Sequence, residues 1–343
     1  MLSGTEWQEG MKQGMRDRIL MILLQNQNSF ISGGEISSKL GVSRTAVWKI
    51  IEQLREEGFH IQSRSNKGYK LVQIPDKLDE TVLRYYLKSR KLGQLVELHD
   101  AIGSTNSRAK ELAQEGAVHG TLVAAEEQKT GRGRLGRSWS SPPRVGLWMS
   151  VIMRPGFPPH FAPKMTVLAG LAVLRAIRSI TGLRASIKWP NDIIINSRKV
   201  CGILTEMQAD LDLIEYVIIG IGMNVNTIMD GFPEEIRDSA TSLFLECGKK
   251  VDRCRLMAMI LDELEVLYEE YEKTASFKGI LDEFKENCIT LGRHVRVVST
   301  SGQWEGTAVD LTDNCELLVE LSDGSKRAVM SGDVSVRGIA GYI

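Results

Sequence analysis

Two adjacent prolines, Pro142 and Pro143, decide how the most distinctive stretch of this 343-residue chain can be built. They follow "GRGRLGRSWSS" (residues 131–141), where three glycines and three arginines fall within seven positions. Gly131, Gly133 and Gly136 match the G-x-G-x-x-G fingerprint of dinucleotide-binding folds. That fingerprint needs the glycines to close a strand and open a helix whose N-terminus holds a pyrophosphate, with an acidic residue about 20 positions on. Proline lacks the N–H donor and its ring clashes with the preceding turn, so no helix opens at Ser140-Ser141-Pro142-Pro143. Near the expected acid the chain reads "VIMRPG" (residues 151–156), and the Lys-Ser/Thr ending of a Walker loop is missing as well. What remains is a loose backbone rich in N–H groups, with guanidinium forks at Arg132, Arg134 and Arg137 suited to bidentate contact with phosphate or carboxylate oxygens. A solvated basic loop is the plainer reading of the stretch taken alone.

The length allows two or three domains. Lys+Arg and Asp+Glu both number 43, so no global attraction to a polyanion is implied and any nucleic-acid face must be local. The five cysteines (Cys201, Cys247, Cys254, Cys288, Cys315) are an odd, scattered set without a C-x-x-C pair, which argues for a reducing compartment and against a disulfide framework or zinc site. The five histidines have no ligand spacing, and no protein-built metal cage is expected. "MLSGTEWQEGMKQG" lacks the apolar core of a signal peptide, and the apolar run from Met165 to Leu174 is shorter than the roughly 20 residues of a membrane span. These features imply a cytoplasmic protein without membrane association, with residues 1–14 as a polar extension.

From residue 15 to 76 the pattern is that of a winged helix-turn-helix. A first helix begins near Met15; Ile36 and Leu40 lie one turn apart, Gly41 permits a left-handed turn, and Ser43 is placed to cap a further helix. Val47, Ile50, Ile51 and Leu54 give that helix one apolar face, while Arg44, Thr45, Trp48 and Lys49 lie on the other. In a helix-turn-helix the start of the second helix enters the major groove. Ser43, Arg44, Thr45, Trp48 and Lys49, with Lys67 in the "SNKG" hairpin turn, are the candidate DNA contacts. Gly33 to Leu71 holds seven Lys/Arg against four Glu, a local excess that favours phosphates. A small protein-interaction domain is the less favoured alternative.

Residues 81–287 mix strands and helices. "GTLVAAEE" and "GLWMSVIMRP" read as strands flanking the arginine loop, residues 162–180 as a long apolar helix, "IKWPNDIIINSRKVCGILTEM" as two strands joined at Asn196-Ser197, "IEYVIIGIGMNVN" as a buried strand and residues 253–271 as an amphipathic helix. An α+β domain with a mixed sheet fits this better than a doubly wound one. Residues 290–343 contain short strands punctuated by Ser-Gly, Asp-Asn and Asp-Gly, the pattern of a small β-barrel.

Five separated motifs then carry a resemblance over nearly the whole chain: "GSTNS" (103–107), "EEQKTGRGRLGRSWSS" (126–141), "KWPND" (188–192), "RKVCGIL" (198–204) and "GIGMNVN" (220–226). In this order, behind a helix-turn-helix, they resemble the family of bifunctional biotin protein ligases and biotin operon repressors, whose plan is a winged helix, a biotin/lipoate-ligase-like core and an SH3-like barrel. The resemblance implies biotin contacts at Ser104, Thr105, Asn106, Gln128, Gly131, Arg132, Gly133, Arg134, Lys199 and Gly220. It implies nucleotide contacts at Arg134, Arg137, Trp139, Lys188, Asn191, Asn224 and Arg337, and catalytic parts for Lys199, Arg132 and Arg134. Ser-Thr-Asn is also an ordinary helix cap, and Lys188 could be plain surface charge; the other motifs weigh against those readings. Biotin and ATP are the implied substrates, with magnesium. A biotin carboxyl carrier protein, operator DNA and, with adenylate bound, a second copy of the chain are the implied partners. Leu135 stands where the best-known bifunctional member of that family has a further arginine. A lipoate ligase, a biotin sensor without catalysis and a ligase whose helix-turn-helix no longer binds DNA stay open at this point.

Overall fold

In a computed structural model, residues 14–27, 29–299 and 302–331 are described, together with the backbone of 334–338. Residues 1–13 of the expected polar extension lie outside the described residues. The chain divides into two compact units, Met1–Tyr86 and Leu87–Ile343.

The first unit contains α1 (Met15–Gln25), α2 (Gly33–Leu40), α3 (Arg44–Glu56), the hairpin β1 (His60–Arg64) and β2 (Gly68–Gln73), and α4 (Glu80–Tyr86). Gly41 ends α2 with φ 66°, the left-handed value a side chain opposes. The Ser43 hydroxyl accepts from the Ala46 N–H at 3.1 Å and so starts α3. Val47, Ile51 and Leu54 are buried, whereas Ile50 is only half-buried at the margin of the apolar stripe, a correction to the four-residue face expected. Ser32 also caps α2 by accepting from Glu35 N at 3.0 Å, which the sequence reading did not single out. The Arg16 guanidinium donates to Asp79 at 2.6 Å and to Glu57, tying α1 to the end of α3 and the residue before α4. The first unit thus extends to Tyr86.

The second unit is built on a seven-stranded mixed sheet. In chain order come β3 (Val96–His99), α5 (Thr105–Gln114), β4 (Leu122–Ala125), β5 (Gly146–Met153), α6 (Ala162–Thr181), β6 (Ser186–Lys188), β7 (Asp192–Ile195), β8 (Arg198–Ala209) and β9 (Ile214–Asn224). The sheet order is β3-β4-β5-β9-β8-β7-β6, with β3 and β4 parallel across α5 and every other pair antiparallel. All eight residues of β5 are buried, Ser150 among seven apolar neighbours. The two strands expected over residues 187–207 are three, because Pro190 has no N–H for the ladder and breaks the first of them. The turn at Asn196 and Ser197 is where it was expected, with φ 48° and 65° at its two residues, the primed geometry that suits a hairpin.

After β9 come α7 (Leu243–Cys247), α8 (Arg253–Thr274) and α9 (Lys278–Glu286). Helix α6 is long and apolar enough to cross a membrane by composition, yet most of it is buried here against α8 and the sheet. Two α8 carboxylates hold the start of the unit: Asp262 accepts from the N–H groups of Lys88 and Ser89, and Glu265 from those of Arg90, Lys91 and Leu92. The tail is an antiparallel five-stranded sheet of β10 (His294–Ser299), β11 (Gly302–Leu311), β12 (Leu317–Glu320), β13 (Lys326–Val329) and β14 (Val334–Gly338), in the order β13-β12-β11-β10-β14. Trp189 Nε1 donates to the Cys315 carbonyl at 3.0 Å, and Lys285 pairs with Asp310 at 2.8 Å; both join this sheet to the core.

Candidate active site

Gly220 and Gly222 lie two apart on β9, and Gly202 pairs with Gly222 from β8, so all three present the same face of the sheet. Without side chains there, a cavity of about 700 Å3 opens above the strands. An alanine methyl at Gly220 would run into Asn106 Oδ1, and one at Gly222 would lie 2.6 Å from Trp139 Nε1.

One end of the cavity is a buried polar chain. Ser104 is the N-cap of α5, accepting from Ser107 N at 3.5 Å, so the helix-cap reading of "GSTNS" is correct as well. Capping leaves Thr105 and Asn106 in the first turn, aimed at the sheet. Gln128 Oε1 accepts from the Thr105 backbone N–H at 2.9 Å and from its hydroxyl at 3.1 Å, while Gln128 Nε2 donates to Ser141 Oγ at 2.9 Å. The Ser150 hydroxyl lies 2.8 Å from Thr105 Oγ1 and 2.6 Å from Asn106 Oδ1; Asn106 Nδ2 donates to Glu206 at 2.7 Å. Ser150 and Glu206 were not anticipated. A lone hydroxyl inside the otherwise apolar run "GLWMSVIM" was the available signal for Ser150, since a buried hydroxyl needs partners; nothing in the sequence marks Glu206.

The centre of the cavity carries charge. Lys199 Nζ pairs with Asp192 Oδ1 at 2.6 Å and lies 5.0 Å from the centre of the Trp139 indole. Asp192 belongs to "KWPND" but was not singled out. The arginine loop closes over this point without forming a helix beyond the single short turn Arg134–Gly136. Arg134 donates to Asn191 Oδ1 at 3.1 Å and to the carbonyl of Ser331, beyond β13 in the C-terminal sheet. Burial pulls its guanidinium below the ordinary value, Asp192 opposes that shift and Arg137 adds to it. Arg132 and Arg137 line the cavity with exposed side chains. Leu135, 55% exposed and at φ 56°, takes the left-handed turn in place of a fourth positive charge.

Lys188, Asn191 and Asn224 also line the cavity, together with Thr227 and Phe232, the last two not anticipated. Asn191 Nδ2 donates to the Ile203 carbonyl at 2.7 Å and Asn224 Nδ2 to that of Thr241 at 3.1 Å. Gly131 does not line the cavity: it is buried under the loop, where an added methyl would lie 2.5 Å from the Trp139 carbonyl. The backbone of Arg337 pairs with Arg296 in β14, but its side chain lies outside the described residues. Among the described residues no three His, Cys, Asp or Glu side chains converge as a metal site. Cys201 is fully buried and burial pushes its thiol up, which suits a packing residue and not a nucleophile.

In the first unit, Arg44, Thr45, Trp48 and Lys49 are exposed along α3, and Lys67 is exposed in the hairpin turn. Trp48 is 52% exposed. Ser43 contributes its oxygen to the helix cap.

Comparison with known proteins extends the geometry. Residues 98–224 match the biotin/lipoate A/B protein ligase family, residues 16–70 an HTH domain and residues 290–337 the biotin protein ligase C-terminal domain. The chain is 42% identical to the bifunctional ligase/repressor BirA of Bacillus subtilis (strain 168), over 95% of this chain and all of that one. It is 29% identical to the protein of the same name from Escherichia coli (strain K12), over 93% of this chain and 96% of that one. A solved biotin protein ligase from Aquifex aeolicus, in complex with biotin and ATP, superposes with TM-score 0.63 at 30% identity, covering 71% of this chain and 99% of that one. With three matching segments in one order and 42% identity across nearly its full length, the chain belongs to the family of bifunctional biotin ligase/repressors.

Proposed function

We propose that the protein is an ATP-dependent biotin ligase that forms biotinyl-5′-AMP, passes biotin to a lysine of a biotin carboxyl carrier protein, and represses transcription in response to biotin. The observation that carries this is the set of groups lining one cavity: short polar side chains at Thr105, Asn106 and Gln128, Lys199 with the arginine loop, and Lys188, Asn191 and Asn224. That combination suits an apolar bicycle with a ureido group, a carboxylate meeting a phosphate, and a nucleoside. Ligase structures with biotin and ATP support both substrates. The working segments are the winged helix of 15–76, a ligase segment within 81–287, of which residues up to Tyr86 pack with the first unit, and the C-terminal segment of 290–343.

In the first step a biotin carboxylate oxygen attacks the α-phosphorus of ATP, and the bond to the β-phosphate oxygen breaks with pyrophosphate leaving. Two anions must approach, so fixed positive charge is required. Lys199 lies where the two meet, and Arg132, Arg134 and Arg137 cover the same point. Magnesium would arrive with the triphosphate and takes one or two carboxylates from protein in such sites; Asp192 and Glu235 line the cavity. In the second step the carrier amine attacks the acyl carbon of the mixed anhydride, the bond to the phosphate oxygen breaks, AMP leaves and the amine loses a proton. Biotin-dependent exchange of labelled pyrophosphate into ATP, with lipoate as control, tests the assignment; absence of exchange with biotin would refute it.

The loop is assigned as an anion clamp that retains the adenylate. Arg134→Gly should accelerate adenylate release by about ten- to a hundredfold, the worth of one or two charge-assisted hydrogen bonds. Unchanged release in a chase experiment would remove the clamp.

Arg44, Thr45, Trp48, Lys49 and Lys67 are assigned to operator contact. If Lys49 meets a phosphate, Lys49→Ala should weaken binding evenly across sequences and reduce the slope of log K against log salt by about 1. A slope equal to that of the unaltered protein would place Lys49 away from the backbone. Adenylate-dependent pairing of two copies, for a palindromic operator, and a cytoplasmic location complete the proposal. Sedimentation showing a monomer at high concentration with adenylate bound would exclude the pairing.

A further inference from the structure

Glu206 is the charged member of the polar chain around Asn106, and it does not itself line the cavity. Side chains alternate along β8, so Glu206 leaves the sheet on the face that Gly202 and Leu204 present to the cavity. It is exposed, whereas Asn106, to which it bonds, is 6% exposed and does line the cavity.

The partners of Asn106 decide which way its amide faces, because one end can only donate and the other only accept. Asn106 Nδ2 donates to Glu206 Oε2 at 2.7 Å and to the Leu204 carbonyl at 3.3 Å, and neither oxygen has a hydrogen to give. Asn106 Oδ1 is therefore the end that accepts from the Ser150 hydroxyl, at 2.6 Å. Ser150 is fully buried and has a single hydrogen. Once that hydrogen goes to Asn106, the 2.8 Å contact between the Ser150 and Thr105 hydroxyls takes its hydrogen from Thr105, which shares it with Gln128 Oε1 at 3.1 Å. The hydrogens thus run one way, from Thr105 through Ser150 and Asn106 to the carboxylate, and the oxygens of Thr105 and Gln128 keep lone pairs for acceptance. Without Glu206 the amide is held only by the longer bond to Leu204, and turning it over would point Nδ2 at Ser150 and reverse the chain.

We propose that Glu206 is a positioning residue for biotin: by fixing the Asn106 amide it keeps this part of the cavity an acceptor of the ureido N–H groups. The proposal rests on the ligase reading and deepens it. Glutamine at this position keeps an oxygen for Asn106 Nδ2, and alanine removes it. In biotin-dependent pyrophosphate exchange, Glu206→Ala should raise the KM for biotin about fivefold, the worth of one hydrogen bond with an exposed partner. Glu206→Gln should stay within about twofold of the unaltered protein. For both variants kcat and the KM for ATP should also stay within about twofold, because the lost contact is the same before and during the reaction. In a Ser150→Ala background the chain is already cut, so Glu206→Ala should cost less there than in the unaltered protein. An unchanged KM for biotin in Glu206→Ala, an equal loss in Glu206→Gln, an equal rise in the KM for ATP, or the same penalty in the Ser150→Ala background would overturn the assignment and leave the ligase reading standing. Absence of exchange by the unaltered protein would overturn that reading and this inference with it.

Discussion

Lys199→Met is expected to slow biotinyl-adenylate formation by on the order of 10^2- to 10^3-fold, with the fold intact. The ammonium lies beside Asp192 in the middle of the cavity, between the end holding Asn106 and Gln128 and the end holding Asn224. Charge redistributes there as a carboxylate attacks a phosphate, and a preplaced cation costs no reorganisation at that moment. Methionine keeps the length and packing against Trp139 and removes only the charge. It also leaves Asp192 facing the incoming anions, which adds repulsion in the same direction. Single-turnover formation of adenylate under saturating biotin and ATP is the measurement. A rate within tenfold of the unaltered protein would mean that the arginine loop, not Lys199, supplies the decisive charge, and Lys199→Arg would then also be mild.

The largest stability effect is expected at Arg253. This side chain, the first residue of α8, is 1% exposed; it donates to Glu126 Oε2 at 2.6 Å and to the Gly146 carbonyl at 3.1 Å. It thereby joins α8 to the end of β4 and the start of β5. Removing one member of a buried ion pair leaves the other as an uncompensated charge, and Arg253→Met should cost about 3–5 kcal/mol. Replacing both partners, Arg253→Met with Glu126→Gln, should recover part of the loss, since the stranded carboxylate is then gone. Urea unfolding of the two variants gives the comparison. If the single variant lost less than about 1 kcal/mol, the pair would be behaving as an exposed one.

What the sequence by itself determined is mainly local. The α3 start follows from Ser43, the α2 stop from Gly41, the Asn196-Ser197 turn from its residue types, and the absence of a helix after the arginine loop from Pro142 and Pro143. Each depends on the conformational preferences of a few neighbouring residues, so a few neighbouring residues suffice to read it. Pro190 belongs to the same class and was overlooked: its missing N–H divides a stretch that reads as one strand.

Only the tertiary structure decided which residues meet. Glu206 lies 100 positions from Asn106, Ser331 lies 197 from Arg134, and Arg253 lies 127 from Glu126. No periodicity links such pairs, because their proximity comes from strand order and register across the sheet. Gly131 shows the converse, since it sits in the cavity-forming loop by sequence while the packing of Trp139 and Ser141 puts it beneath. Residue type states what chemistry a side chain can do; burial and the partners brought by distant segments decide whether that capacity is used up within the protein or left for a ligand.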